Sequence, residues 1–443
     1  MKIRLSDQFT TSRLLRFTFP SIVMMVFTSV YSVVDGLFIA NCVGSNALSS
    51  INIIFPALMI LGAFGFMLGA GGSAEVGRAL GEGKPELAKR YFTTLILTII
   101  TIGAVLSALV FVFVRPISLL LGATDLLIDD CVVYGRILAA GNVFFMLQTA
   151  FQTFFVLAEK PKLGLLFTVA SGCTNIVFDF VFVYLLDMGV AGAAVATVMG
   201  YAVGGVIPLF YFLSKNSSLL RLTKTELYPK MLLSSAGNGS SEMVSNISSS
   251  VVTMLYNFQM LRLLGEGGVA SITVIMYINF IFVAVNIGFA IGVAPVVSFH
   301  YGAKNTEELR NVFRKSLRVI LAVSLLMFVA AEALSSLLIS LFLSSDPEFA
   351  AISLHGLRVA SFSFLLAGVN IYASSFFTAL CNGKVSAIIS FLRALVFPVL
   401  ALLTLPYLFD VEGVWFSVVV SEGLAFVVSV IFLIFERKKY GYA

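Results

Sequence analysis

Residues 91–114 read YFTTLILTIITIGAVLSALVFVFV, 24 positions with no charge, no proline and one glycine. A helix of that length is about 36 Å long, enough to cross a hydrocarbon core of roughly 30 Å. Lys89 and Arg90 stand just before the stretch and Arg115 just after it. Reading outward between charged or Gly/Pro breaks finds eleven more stretches of this kind. The twelve predicted spans are 15–40, 47–75, 91–114, 132–157, 163–186, 190–213, 231–261, 269–298, 317–343, 351–380, 385–408 and 412–435. The expected fold class is an all-α polytopic membrane protein.

Composition agrees. Apolar residues make up 59% of the 443 and charged residues 12%, where a soluble domain carries about a quarter charged. That excludes a soluble enzyme, a disordered chain and a nucleic-acid reader. Four cysteines without a CxxC pair exclude a zinc or disulfide framework. Two histidines, His300 and His355, and no HExxH leave little for an intramembrane hydrolase. No enzyme activity and no cofactor are expected. No cleavable leader is expected either, because the first span has no small-residue cleavage site.

The basic residues test the threading. Of 28 Lys and Arg, 23 fall in the segments 1–16, 78–90, 160–162, 215–230, 304–318, 384 and 437–439, all on one side of the membrane if there are twelve spans. The other side holds Arg115 and Arg262, while Arg136, Arg358 and Arg393 fall within spans. Positive charge marks the cytoplasmic side, so both termini are expected there, with the chain multi-pass in a plasma membrane.

The two halves resemble each other. Phe154-Phe155, Lys162 and Arg136 match Phe376-Phe377, Lys384 and Arg358 at an offset of 222. Gly44, Ser50-Ile51, Gly71, Gly81 and Gly192 match Gly265, Ser271-Ile272, Gly292, Gly302 and Gly413 at 221. A constant offset over six spans means parallel repeats, two six-helix bundles related by pseudo-two-fold symmetry. The expected units are 1–214, a cytoplasmic linker 215–230, and 231–443. Transporters of this design bind near the midplane between the halves.

An acid inside a span is a functional hypothesis by default. Five qualify: Asp35, Asp179, Glu242, Glu332 and Glu422. Asp35 and Asp179 fall at similar depth in spans 1 and 5, and Asn175 lies one turn before Asp179 on the same face. Two carboxyls and an amide suit exchange of a proton or ligation of Na⁺ through oxygen, or they simply hold helices together. Glu242 lies in the polar run GNGSSEMVSNISSS (Gly237–Ser250), expected to line a wet cavity, to be unwound, or to pack tightly. Glu422 is expected to pair with Arg393. Arg136 and Arg358 are expected to snorkel or to cap loops. Pro20 in span 1 is expected to kink it.

The stretch Gly69-Ala-Gly-Gly72, followed by Gly77-Arg-Ala-Leu-Gly-Glu-Gly83 and Ala88, resembles the multidrug and toxic compound extrusion (MATE) family. Tyr301-Gly-Ala-Lys304 repeats it in the second half. Pro20 and Asp35 (VVDGLFIA), Asn175 and Asp179 (NIVFDFVFVY) and Gly413–Trp415 extend the likeness over the whole chain. The resemblance implies export of organic, often cationic and amphipathic compounds, driven by inward H⁺ or Na⁺. It implies a cation site at Asp35, Asn175 and Asp179. It places Glu242 at the acid of span 7 and Asn370 where some branches have a second acid. Glu242, Asn246, Tyr256 and Asn370 are therefore expected along the substrate cavity. The expected partners are small-molecule drugs or toxic metabolites, the coupling ion and the bilayer, with the chain monomeric and no nucleic acid involved.

Two other readings stand beside it. A flippase for a lipid-linked oligosaccharide, of the same broad superfamily, tends to line its cavity with several Arg or Lys, and only three Arg lie near membrane depth here. A non-transporting receptor or scaffold has no need for acids at that depth.

Overall fold

A computed structural model describes residues 3–340 and 347–443. The first half has six long helices: α1 (Thr11–Cys42), α2 (Ser45–Gly81), α3 (Pro85–Leu120), α4 (Ile128–Leu157), α5 (Pro161–Asp179), extended by a π-helical turn Phe180–Leu185, and α6 (Gly189–Leu213). In the second half α7 (Pro229–Gly302) is 74 residues long and folds back at Gly265, so it crosses twice. α8 (Thr306–Ser340) crosses once. α9 (Pro347–Ser361) and α10 (Phe364–Ala379) meet at a 50° bend and make one span. α11 (Gly383–Phe391), a π-helical turn Leu392–Val396 and α12 (Phe397–Phe435) supply the last two, divided at Phe409 and Asp410. A short α13 (Arg437–Tyr440) follows. The second half thus also crosses six times. The end of the ninth predicted span, 341–343, lies outside the described residues.

Local chemistry explains these limits. Pro85, Pro161 and Pro229 open helices, where a missing N–H costs nothing. The α3 stripe Phe92, Ile96, Ile99, Gly103, Ser107, Val110 and Val114 is buried at helical spacing, while Leu97, Val105, Leu109, Val112 and Phe113 are exposed to the lipid. Polar residues in the spans return hydroxyl bonds to carbonyls four residues back. Ser245, Ser249 and Thr253 do so at 2.8–2.9 Å. Hydroxyls satisfied in this way need no other partner, and the polar run Gly237–Ser250 is helical throughout, so the unwound alternative is not what the chain adopts. α1 is one continuous helix through Pro20.

The backbone carries the repeat independently of side chains. Positive-φ residues pair between halves: Gly44 with Gly265 and Gly83 with Lys304 (221 apart), Glu159 with Cys381 (222), and Asp187 with Asp410 (223). The same tight turns recur at the same helix ends.

The residues joining α2 to α3, α4 to α5, α6 to α7, α7 to α8 and α10 to α11 share one face, here the linker face. One apolar cluster lies near it and draws on both bundles, from Phe17, Leu80, Phe154 and Leu157 to Val296, Phe313 and Phe376. Towards the opposite face the core divides in two. Ile39, Ile54, Leu138 and Ala193 pack within the first bundle, and Tyr256, Ile275, Leu402 and Trp415 within the second.

Small residues make the junction close. A Cβ on Gly239 of α7 would strike the Met67 carbonyl of α2, and one on Gly81 the Phe299 carbonyl. The glycines of the 77–83 motif thus serve a close crossing of α2 on α7, and Gly83 (φ 74°) turns the chain into α3. On α2, Glu75 accepts a hydrogen bond from Ser234 Oγ of the other bundle and sits 3.5 Å from Arg78.

Candidate functional site

Asp35 of α1 and Asn175 and Asp179 of α5 meet inside the first bundle, in the half away from the linker face. Asn175 Nδ2 donates to Asp179 Oδ2 at 3.0 Å. The Asp35 carboxyl lies against both. Asn175 and Asp179 are buried. One oxygen of each acid, Asp35 Oδ1 and Asp179 Oδ1, is buried with no hydrogen-bond partner among the described residues.

Packing explains why the three converge. Gly172 of α5 lies against Phe27 and Tyr31 of α1. Gly200 of α6 lies against Asn175, and Ser171 Oγ donates to the Gly200 carbonyl at 2.7 Å. The π-helical turn begins immediately after Asp179; such local widening shifts side-chain direction and is frequent at functional sites. Tyr31, Tyr134 and Tyr201 surround the acids within electrostatic reach of Asp35. Sequence reasoning missed these tyrosines. Their signal was a phenol at the depth of the acids, since a buried Tyr hydroxyl needs a polar partner.

Among the described residues, these two facing carboxyls, with one orphan acceptor each, have no positive partner. A proton held between them, or a cation ligated by their oxygens, supplies it. The donor set is all oxygen, which suits a proton or a hard cation. Among the described residues, no group of three or more His, Cys, Asp or Glu forms a metal centre.

The second bundle holds a different arrangement. Arg393, in the π-helical turn before α12, donates from Nε to both oxygens of Glu422 at 3.0 and 3.1 Å and from Nη2 to Oε1 at 2.8 Å. Asn370 Nδ2 donates to Glu422 Oε2 at 2.7 Å. The expected Arg393 pairing therefore forms, and the acid is satisfied. Asn370 is 0% exposed and Tyr256 8%. These two were expected along the cavity and lie within the second bundle instead, beside Glu422. Glu332 accepts from Ser361 Oγ at 2.6 Å, and Arg358 lies 3.4 Å from Ser335. Arg136 sits 5.6 Å over the Phe111 ring.

Glu242 does reach the space between the bundles. It lines a cavity of about 50 Å³ with Phe66, Ser73 and Thr153 of the first bundle and Ile291 and Thr378 of the second. That volume holds a few waters, far less than the several hundred Å³ of a drug site. Asn246, one turn on, bonds back to the Glu242 carbonyl at 2.8 Å.

The MatE family model matches the chain twice, over residues 20–181 and 242–403, once per bundle. The chain is similar to the multidrug export protein MepA of Staphylococcus haemolyticus (strain JCSC1435), 23% identical over 414 residues, covering 92% of this chain and 90% of that protein. Its fold is similar to that of a MATE protein solved in complex with MaL6, with a TM-score of 0.92 at 20% identity and 98% of each chain covered. It is equally similar to a multidrug resistance MATE family transporter of the MOP superfamily solved in an outward-facing conformation, again with a TM-score of 0.92, 20% identity and 98% coverage of each. Twelve helices in two bundles are the architecture shared with these structures. With both halves matched by the model, the chain belongs to the MatE family.

Proposed function

We propose that the chain is a secondary antiporter that exports organic, cationic and amphipathic compounds from the cell in exchange for H⁺ or Na⁺. The observation that carries this reading is the pair of facing carboxyls, half-buried Asp35 and buried Asp179, each with an orphan oxygen, with Asn175 bonded to Asp179. The printed name of the MepA relative supports multidrug compounds as the cargo. On this reading the linker face and both termini are cytoplasmic, following the basic residues. Residues 1–214 and 231–443 are then the two moving lobes, joined by the linker 215–230 in a single working chain.

The chemistry follows from charge. Occupied by a proton or Na⁺, the cluster is compatible with a dry, closed first bundle. Emptied, two carboxylates demand water and favour a hydrated, open one. Cation occupancy thus has different free energies in the two states, which coupling requires. Glu242, at the closed end of the inter-bundle space, supplies the negative charge that draws a cationic substrate between the lobes. The lipid-linked flippase reading finds no support in the second bundle, where Arg393 is already committed to Glu422.

The test is ethidium efflux from proteoliposomes under separate pH and Na⁺ gradients. Efflux driven by one gradient and absent without it supports antiport. Purified, folded protein that moves no compound under either gradient would favour the receptor or scaffold reading.

A further inference from the structure

Residues 3–10 precede α1 and cross the linker face from one bundle to the other. Leu5 N–H donates to Glu159 Oε1 at 2.9 Å. Glu159 occupies the turn between α4 and α5 of the first bundle, at φ 56°. Four residues later Phe9 N–H donates to Glu308 Oε1 at 2.8 Å. Glu308 stands in the first turn of α8, in the second bundle. The Phe9 carbonyl accepts from Lys315 Nζ at 2.6 Å and from Asn311 Nδ2 at 3.1 Å. Asn311 Nδ2 also donates to Glu308 Oε1 at 2.9 Å.

Burial makes these bonds matter. Glu159 and Glu308 are 8% and 5% exposed. A buried carboxylate is costly unless it accepts hydrogen bonds, and here the same short segment supplies a backbone donor to an acid on each bundle. The Leu5 and Phe9 side chains are fully enclosed, within the apolar cluster that draws on both bundles. His300, buried at the end of α7, lies beside Leu5 and Glu308. Peeling the segment off the second bundle therefore exposes Phe9, removes a donor from Glu308 and takes the acceptor from Lys315.

We propose that residues 3–10 are a clasp closing the linker side. The contacts of Phe9 with Glu308, Asn311 and Lys315 form its releasable end, and the contact of Leu5 with Glu159 its fixed end on the bundle to which α1 belongs. This rests on the rocking of the two bundles assumed by the antiport reading. Opening towards the linker face separates α2 from α7, and with them Glu159 from Glu308. A segment of eight residues bonded to both acids has to let go of one. The second-bundle end is the one that lets go: α1 belongs to the first bundle, and its Thr18 and Ile22, which pack on Gly292 and Gly288 of α7, part from α7 in the same motion.

The clasp is tested without substrate or ion gradient, so its failure and the failure of the export reading are distinguishable. Ser298 is 1% exposed and sits against Gly77 where the bundles meet. Ser298→Cys, in a full-length background with Cys42, Cys131, Cys173 and Cys381 replaced by serine, reports opening of the linker side by its rate of maleimide labelling in detergent. Loss of a hydrogen bond to a charged group shifts an equilibrium by roughly tenfold or more, so Glu308→Ala is expected to raise the rate about tenfold. Glu308→Gln, which keeps an acceptor oxygen for Phe9 N–H, should stay closer to the parent. Lys315→Met keeps the apolar stem and removes the Nζ contact, and it should raise the rate as well. It decides the matter if Glu308→Ala does not fold. Labelling within twofold of the parent in every folded member of the Glu308→Ala and Lys315→Met pair would overturn the clasp.

Discussion

Glu242→Gln separates attraction for a cation from simple packing. The side chain lines the small cavity at the closed end of the inter-bundle space, with Arg393 as its charged neighbour. Gln has nearly the same shape, so the cavity survives while one negative charge is lost. A unit charge about 6 Å away at an effective dielectric near 20 contributes roughly 2.8 kcal/mol. Arg393 offsets little of this, because its guanidinium is committed to Glu422. The expected loss of affinity for a monocationic dye is then about tenfold to a hundredfold, with the upper limit set by full Coulomb attraction. A neutral compound of similar size should lose less than about threefold, since no charge term is involved. The assay is equilibrium binding to purified protein, by fluorescence anisotropy for the dye and competition for the neutral compound. Equal loss for both would refute the electrostatic role and assign Glu242 to packing.

Further outcomes follow from particular contacts. Arg393→Ala leaves the part-buried Glu422 without its ion-pair partner, and breaking a fully buried pair costs about 3–5 kcal/mol, an upper limit here; a clear drop in thermal unfolding temperature is expected, whereas an unchanged midpoint would mean the pair holds nothing. Gly239→Leu forces a side chain against the Met67 carbonyl, and overpacking of this kind costs about 1–3 kcal/mol; efflux should fall sharply. Gly237→Ala, where an added Cβ meets nothing within 4 Å, should export normally. A Ser218→Cys variant lacking the native cysteines should resist a membrane-impermeant maleimide added to intact cells, while native Cys42 alone, exposed at the opposite end of α1, should be labelled. External labelling at position 218 would reverse the orientation.

The spans were legible because an unbroken apolar stretch of about twenty residues has few other uses. The repeat was legible from Phe154-Phe155 and Lys162 against their partners, and the backbone then added Glu159 and Cys381. The meeting of Asp35, Asn175 and Asp179 was legible because depth can be counted along a span and Asn175 lies one turn from Asp179. Rotation about a helix axis was not. Each step along an α-helix turns about 100°, so Asn370 could be placed at the right depth and still face Glu422 rather than the cavity. The polar run around Glu242 read as wet, unwound or tightly packed, because a count of serines does not reveal that Ser240, Ser245 and Ser249 bond their own helix while Ser241 meets Thr378. The clasp was invisible for a related reason. Leu5 and Phe9 are unremarkable beside a long apolar span, and Glu159 and Glu308 lie about 150 residues apart in sequence.

The coupling role of the two acids is tested most directly by steady-state accumulation of a monocationic dye in inverted proteoliposomes. One proton exchanged for one monocation is electroneutral, so a one-unit pH gradient, about 1.4 kcal/mol, sustains roughly a tenfold concentration ratio. A tenfold Na⁺ gradient does the same if Na⁺ is the coupling ion. Asn keeps an acceptor for Asn175 Nδ2 but exchanges no proton and brings no charge to a cation. The parent should reach about tenfold under one of the two gradients, and Asp35→Asn and Asp179→Asn should each remain near a ratio of one while staying folded and binding dye. A tenfold ratio in either variant would remove that acid from the coupling site.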